Sequence, residues 1–328
     1  MGIFTNSNVT NITIDPSVRW KNNSMAYAYD NCMKFNKQVN IPHGITNLCS
    51  CFRYCNNFNQ PLYIPNTVDD ISFLLYGSNN FNQSITLENG IKTIRGMLSR
   101  AGKFNRPIEI PDSVTDIGST FADAISFNQS VNIPNNVTNL YRTFYDAYNF
   151  NRSINIPDKV TTMYYCFYQV RNFNYPLNIP PSVENLSYFL QYCNNFNSPV
   201  NLVNGELKNM AYAFGYCNKF NRPVTIPNGV TNLYYCFTNC ANMNRDITIY
   251  SPVVNNARGF LSGKNNSKRI NIYIPAGSET NNTFAYNNYY YSIVAANLTW
   301  TLNSSNNCRY NSSRNIYVYF TNFEEAAT

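Results

Sequence analysis

The stretch FNRPVTIPNGVTNLYYCFTNCAN, residues 220–242, decides how the chain is read, because most of it recurs. Aligned on its Phe-Asn pair, copies begin at Phe35, Phe58, Phe81, Phe104, Phe127, Phe150, Phe173 and Phe196, at a spacing of 23 residues. One residue is inserted near Gly205, the series resumes at Phe220, and Met243 takes the Phe place one period later. Upstream, Met25, Tyr29 and Cys32 stand one period before Leu48, Phe52 and Cys55; downstream, Phe260, Ile272, Ile274 and Pro275 keep the same beat. A fixed period of this length marks a solenoid, a stack in which each copy of one unit covers its neighbour.

Within the period, Val224 and Ile226 flank Thr225 in the alternation of a strand. Pro223 and Pro227 bracket it, and because proline cannot donate to a ladder the strand is only about three residues long. Pairs such as Asn228-Gly229, Asp112-Ser113 and Asn135-Asn136 then tolerate a turn. Val230, Leu233 and Phe237, like Val114, Ile117 and Phe121 or Val160, Met163 and Phe167, are spaced three then four, which predicts one apolar face of a helical turn. The expected fold is an α/β solenoid, a leucine-rich-repeat-like array of 23-residue coils with short parallel strands and helical turns, plus a C-terminal β cap. Stacked at ~4.8 Å per coil, it would form a rod about 50 Å long.

IPDSVTDIGSTF (110–121), with the small or Cys position three residues beyond its Phe, resembles the BspA-type leucine-rich repeat of bacterial and protist surface proteins. FNQPLYIP (58–65) is similar to the related FNIP-type repeat. The resemblance covers residues 25–260 and implies a display scaffold rather than one fixed activity.

Three regions follow: an N-terminal cap and partial coil over 1–34, the repeat array over 35–250, and the last coils with a C-terminal β cap or docking region over 251–328. In the last, INIYIPAGSETNNTF (270–284) resembles a final coil. YYYSIVAANLTWTLN (289–303) and NIYVYF (315–320) read as strands on either side of an Asn/Ser-rich loop around Cys308. They form a cap over the last coil, or a trimerisation or docking tip.

With 44% hydrophobic, 16% aromatic and only 12% charged residues, the 328-residue chain can bury a core and is no charged disordered tail. The net charge of +7 is scattered, which argues against the clustered basic stripe of a specific nucleic-acid binder. MGIFTNSNVTNITIDPS lacks the basic and long apolar regions of a secretory signal, no apolar run is long enough for a membrane span, and Asn6 stands where myristoylation wants Ser or Thr. The expectation is a chain made in a cytoplasm that reaches a surface by assembly, by lysis or by a route with no signal in this stretch.

Ten cysteines suggest a disulfide framework until they are placed on the repeat. Cys32, Cys55, Cys193, Cys217 and Cys240 share one column and Cys51, Cys166 and Cys236 another, with Ala or Ser expected in these columns elsewhere. They read as small buried wedges kept as free thiols. Cys49, Cys51 and Cys55 lie close together, but no second Cys or His pair stands at metal-binding spacing. His43, the only histidine, follows Pro42 in a turn and reads as solvated, which leaves no Ser-His-Asp or Cys-His system; no cofactor is expected.

Two exposed features carry chemistry. Glu88 and Glu109 should point to the same side of adjacent strands about 8 Å apart, a spacing that suits an inverting glycosidase. The outward strand column from Asn40 to Thr248, beside the column from Lys37 to Arg245, offers amide, hydroxyl and guanidinium groups that suit sugars or a polar protein surface. Its central members Arg106, Asn132, Arg152, Asn155 and Asn178 are the candidate ligand-binding residues. The Asn of each Phe-Asn pair is expected to form a buried, structural amide ladder. The function expected is a non-enzymatic, surface-displayed binding or structural protein: a phage virion fibre or decoration subunit that contacts host glycan or envelope protein. The alternatives are a cell-surface adhesin and a glycan depolymerase. Partners would be other virion or surface proteins, with a homo-oligomer compatible and no specific nucleic acid.

Overall fold

The computed structural model describes residues 3–10, 18–275, 301–303, 308–312 and 315–321. The chain divides into two compact units, Met1–Val160 and Thr161–Thr328. Each is a stretch of parallel β-solenoid built on the 23-residue period.

Strands form where the alternation predicts them, but not in every coil. In unit 1, β1 (Leu62–Ile64) pairs in parallel with β2 (Ile85–Leu87), Tyr63 opposite Thr86. In unit 2, β3 (Leu177–Ile179) pairs with β4 (Val200–Leu202), and β5 (Val224–Ile226), β6 (Ile247–Ile249) and β7 (Ile270–Pro275) lie side by side in a second sheet. The matching segments 108–110, 131–133 and 154–156 fall outside the hydrogen-bonded strands. Flanking prolines leave few amide donors in each segment, and the lateral bonding lies mostly on the other side of the coil.

The expected helical turns are not there: among the described residues the one helical segment is a short 3-10 turn, Lys21–Asn23. Overlapping β-turns take their place. The N–H groups of Cys236, Thr238 and Cys240 donate to Leu233, Tyr235 and Phe237 within one coil. The intervening N–H groups of Leu233, Tyr235, Phe237 and Asn239 donate at 2.6–2.9 Å to Asn256, Arg258, Phe260 and Ser262 in the next. A helix would commit every N–H to its own segment; here alternate ones stitch coil to coil. Tyr235 and Asn239 have φ of 50° and 55°, the left-handed conformation that type II turns require at their third residue. Left-handed pairs four residues apart recur from Tyr27 and Asn31 to Gly259 and Gly263. Val230, Leu233 and Phe237 still point inward and are fully buried, so the apolar spacing was a sign of the core and not of a helix.

A polar residue opens each run of turns. Asn47, Asp70, Asp116 and Asn139 in unit 1, and Asn185, Asn209, Asn232 and Asn256 in unit 2, accept the N–H two residues on through a side-chain oxygen. The same column makes parallel bridges without a break from Ser24 to Asn139, and again from Thr162 to Asn256. This column, rather than the strands, gives each unit its unbroken lateral ladder.

The core is a stack of rings. Phe35, Phe58, Phe81, Phe104, Phe127 and Phe150 follow one another at 5.9–6.0 Å in unit 1, and Phe173, Phe196 and Phe220 at 5.8–5.9 Å in unit 2. Beside them the cysteine wedges also donate: Cys55 Sγ to Tyr29 O at 2.9 Å, Cys193 Sγ to Phe167 O at 2.9 Å and Cys240 Sγ to Phe214 O at 3.0 Å. Ser78 Oγ donates to Phe52 O in the same place, so Ser and Cys interchange because both are small donors. The second cysteine column is less restricted than expected, for Leu74, Met97, Thr120, Thr143 and Phe189 also fill it. All nine described cysteine side chains are free thiols; that of Cys308 lies outside the described residues.

At the start, Phe4 and Asn6 donate their N–H groups to Ala28 O and Asp30 O, and the Phe4 ring packs 5.3 Å from that of Tyr29. At the end the 23-residue beat is not kept. Ile247 pairs with Ile272 rather than with a residue two places earlier, and Phe237 N–H meets Phe260 O where Phe214 N–H meets Cys236 O. Phe260 therefore occupies the cysteine column, and extra residues are absorbed on either side of it. Lys264 takes the place of Cys240 one coil on, almost fully buried, its Nζ donating to Asn265 O and Lys268 O. Beyond β7 the sheet continues through β10 (Ile316–Thr321), parallel to β7, then β9 (Cys308–Asn311) and β8 (Thr301–Asn303), both antiparallel to their neighbours. The strand expected over 289–300 lies outside the described residues.

Candidate functional site

Arg106, Asn132, Arg152 and Asn155 are exposed on unit 1, and Asn178 is the exposed middle residue of β3 in unit 2, opposite Asn201. The arginines are not only displayed. Arg106 Nε donates to Asn82 O at 3.1 Å and Arg152 Nε to Asn128 O at 2.9 Å, each reaching back one coil. Gln60, Gln129 and Ser198 make the same backward reach. Asn132 and Asn155 stand on segments without strand pairing, so neighbouring turns rather than a sheet position them. The asparagines of the Phe-Asn pairs do form a ladder: Asn59, Asn82, Asn105 and Asn128 Oδ1 accept the N–H of Asn82, Asn105, Asn128 and Asn151 at 2.8–3.0 Å. Most are half-buried rather than buried, and Asn36, Asn174 and Asn244 are exposed, so the ladder runs along a rim.

Glu88 does not face Glu109 as a free carboxylate. Its Oε1 accepts from Tyr63 Oη and its Oε2 from Asn66 N–H at 3.0 Å, both on the coil away from Glu109. The bond to Glu88 raises the Tyr63 hydroxyl above its ordinary pKa. His43 is exposed in a turn. Burial pushes the thiols of Cys51 and Cys55 well up, the reverse of what a metal-ligating thiolate requires.

The turn side holds a feature that sequence reasoning passed over. In unit 2, Tyr165, Tyr188, Tyr212 and Tyr235 stack in order at 4.4, 5.0 and 5.2 Å, and Tyr192 stacks on Tyr216 at 4.5 Å. All six are half-buried with φ between 50° and 64°, a conformation that is strained for a bulky side chain. Burial and neighbouring phenols push the Tyr212 hydroxyl up to about 12. The signal was present, for Tyr recurs there at the coil spacing. The places in unit 1 that match Tyr165 are Tyr27, Ser50, Phe73, Gly96, Ser119 and Arg142, so the phenol stack is not continued there, and the Arg142 guanidinium lies 3.8 Å from the Tyr145 ring centre.

An open cleft of about 370 Å³ lies on the strand side of unit 2, lined by Asn221, Arg222, Pro223, Asn244, Arg245 and Asp246. It concentrates polar groups from two successive coils.

No curated protein and no solved structure matches the chain. The family described as "Mycoplasma protein of unknown function, DUF285" matches residues 3–110, 87–179 and 180–271, which takes in the coils of both units, and the chain belongs to this repeat family.

Proposed function

We propose that the chain is a non-enzymatic binding scaffold displayed on a surface. One observation carries this reading: the Phe-Asn column that holds the frame keeps its residue types through the coils, whereas the outward strand column passes from Tyr63 to Thr86, Glu109 and Asn132. Such a frame tolerates any polar pattern on its face and loses little entropy when that face is bound. The bonds that tie Glu88 to Tyr63 and Asn66 favour a binding role over a carboxylate-pair hydrolase.

The family description names Mycoplasma proteins, which favours a cell-surface adhesin. The same polar face would serve a virion fibre or decoration subunit against host glycan or envelope protein, so both surfaces are to be tested. Antibody labelling of intact cells and of purified particles separates the two readings, and release of reducing sugar from host polysaccharide would speak for hydrolysis. Replacing Arg152 and Asn155 with Ala should weaken attachment by about 1–3 kcal/mol in total. Attachment that survives this change but is abolished by replacing Tyr164 and Tyr165 would put the binding face on the turn side.

A further inference from the structure

The cleft of unit 2 is lined by two arginines and one carboxylate, which leaves it net positive. Arg222 and Arg245 occupy the same place in successive coils, one rung of ~4.8 Å apart, and both are exposed. Arg222 Nε donates to Asn197 O at 2.8 Å, which fixes the guanidinium plane and leaves its two terminal nitrogens to face the cleft or solvent. Arg245 makes no hydrogen bond or ion pair among the described residues. Asp246 forms no ion pair with either one among the described residues and is held by its neighbours instead: Asn271 Nδ2 donates to its Oδ1 at 2.9 Å and Tyr273 Oη to its Oδ2 at 3.5 Å. Like charges side by side on adjacent coils repel, and a bound anion relieves that repulsion while filling planar forks suited to oxyanions.

We propose that this cleft binds an acidic polysaccharide, with a sulfate or carboxylate of the sugar on Arg222 and Arg245 and a neighbouring hydroxyl donating to the remaining lone pairs of Asp246. The lining favours a sugar over a nucleic acid. It contains no aromatic ring on which a base could stack, whereas the Asp246 carboxylate offers an acceptor for a sugar hydroxyl. The proposal names the ligand class for the binding scaffold proposed above and rests on that reading.

The test uses the full chain and four labelled probes: a heparin oligosaccharide, an oligogalacturonate, a neutral dextran oligosaccharide and an oligothymidylate. One or both acidic sugars should bind and dextran should not. R222A/R245A should weaken the acidic sugar at least tenfold, while K92A/K103A, which removes the same charge from exposed positions in unit 1, should change it less than twofold. R245A alone, which breaks no bond within the fold, keeps the test valid if the double variant melts early. Equal losses from the arginine and lysine pairs, no loss from the arginines, or oligothymidylate binding as tight as the sugars would each overturn the proposal. Displacement by inorganic sulfate at the same concentration as by heparin would do so too, because it would reduce the cleft to a simple anion site. If the oligosaccharide binding holds but the parent chain attaches to neither cells nor particles, the scaffold reading fails and the cleft stands.

Discussion

The ring of Tyr235 fills the space that a side chain on Gly259, one coil later, would need. Tyr54 over Gly77 and Phe73 over Gly96 repeat the relationship in unit 1. At these positions a ring at a left-handed turn lies against the next residue of its column, another ring as Tyr188 is for Tyr165, or a glycine as Gly259 is for Tyr235. Gly259→Ala combines a φ of 67° with a collision against Tyr235 and should cost about 2–4 kcal/mol. Gly44→Ala, at φ 86° with nothing within 4 Å, should cost only about 1 kcal/mol of backbone strain. Urea denaturation of the two variants decides; equal losses would dissolve the packing relationship.

The rim of asparagines makes a second prediction. Asn105 Oδ1 accepts from Asn128 N–H at 2.9 Å and Gln129 Nε2 at 3.1 Å, so Asn105→Ala should lose about 1–3 kcal/mol. Asn132→Ala, on an exposed side chain of the same unit, should stay within about 0.5 kcal/mol of the parent. A loss at Asn132 as large as that at Asn105 would mean that the outward column is structural.

The buried thiols and clustered phenols set the response to alkali. Burial raises Cys240 from 9.0 to about 12, and burial with neighbouring phenols raises Tyr212 from 10.0 to about 12. Both stay protonated in the fold after the unfolded chain has begun to ionise. The stability this contributes is therefore complete below pH about 9 and falls as pH rises toward about 12. Urea midpoints should be flat from pH about 6 to about 8 and drop by pH about 10, with a shallower drop in Cys240→Ala. A midpoint that rises in alkali would contradict the burial. In the same samples, half-buried Cys49 should react with a thiol reagent before the buried cysteines do.

Removing residues 127–149 tests whether a coil is modular. The deletion joins Ser126 to Phe150, sets Phe150 over Phe104 and offers Asn151 N–H to Asn105 Oδ1, so every column closes again. The shortened chain should fold with one cooperative transition for unit 1 in calorimetry. Aggregation or a non-cooperative melt would show that the coil boundaries are misplaced.

The period, the inward apolar columns, the three-residue strands of the coils that have them and the cysteine wedges were legible because each is set by burial, and burial leaves a repeating apolar mark. The turns were not. Val230, Leu233 and Phe237 have the spacing of a helix, and the left-handed position that excludes one is held by Tyr235 rather than by a glycine that would have announced it. Nothing local distinguishes an N–H that bonds within its coil from one that bonds to the next. The same limit hid the slip that pairs Ile247 with Ile272, because inserted residues shift a register without changing its composition. At the candidate site, Arg106 and Arg152 were rightly placed on the exposed face, while their backward bonds to Asn82 and Asn128 depend on the coil before and leave no trace in the residue itself. Glu88 was paired with the wrong neighbour for that reason also: Tyr63 lies behind it and Glu109 ahead.

Within each run of left-handed turns the stitching amides point one way, whereas residues before the run, such as Thr46 to Asn23, and after it, such as Asn57 to Met33, reach back. In both units the turn N–H groups of one coil reach forward to carbonyls of the coil that follows, as Tyr27 does to Cys49 and Tyr212 to Tyr234. The first coil of unit 1 therefore presents carbonyls, and Phe4 and Asn6 meet two of them. The last run of turns in unit 2 presents the N–H groups of Ala257, Gly259 and Leu261, which find no acceptor among the described residues. Such a stack has a polarity, like a filament with unlike ends. At these runs of turns another coil fits head to tail, since an inverted one would set donor against donor or carbonyl against carbonyl there.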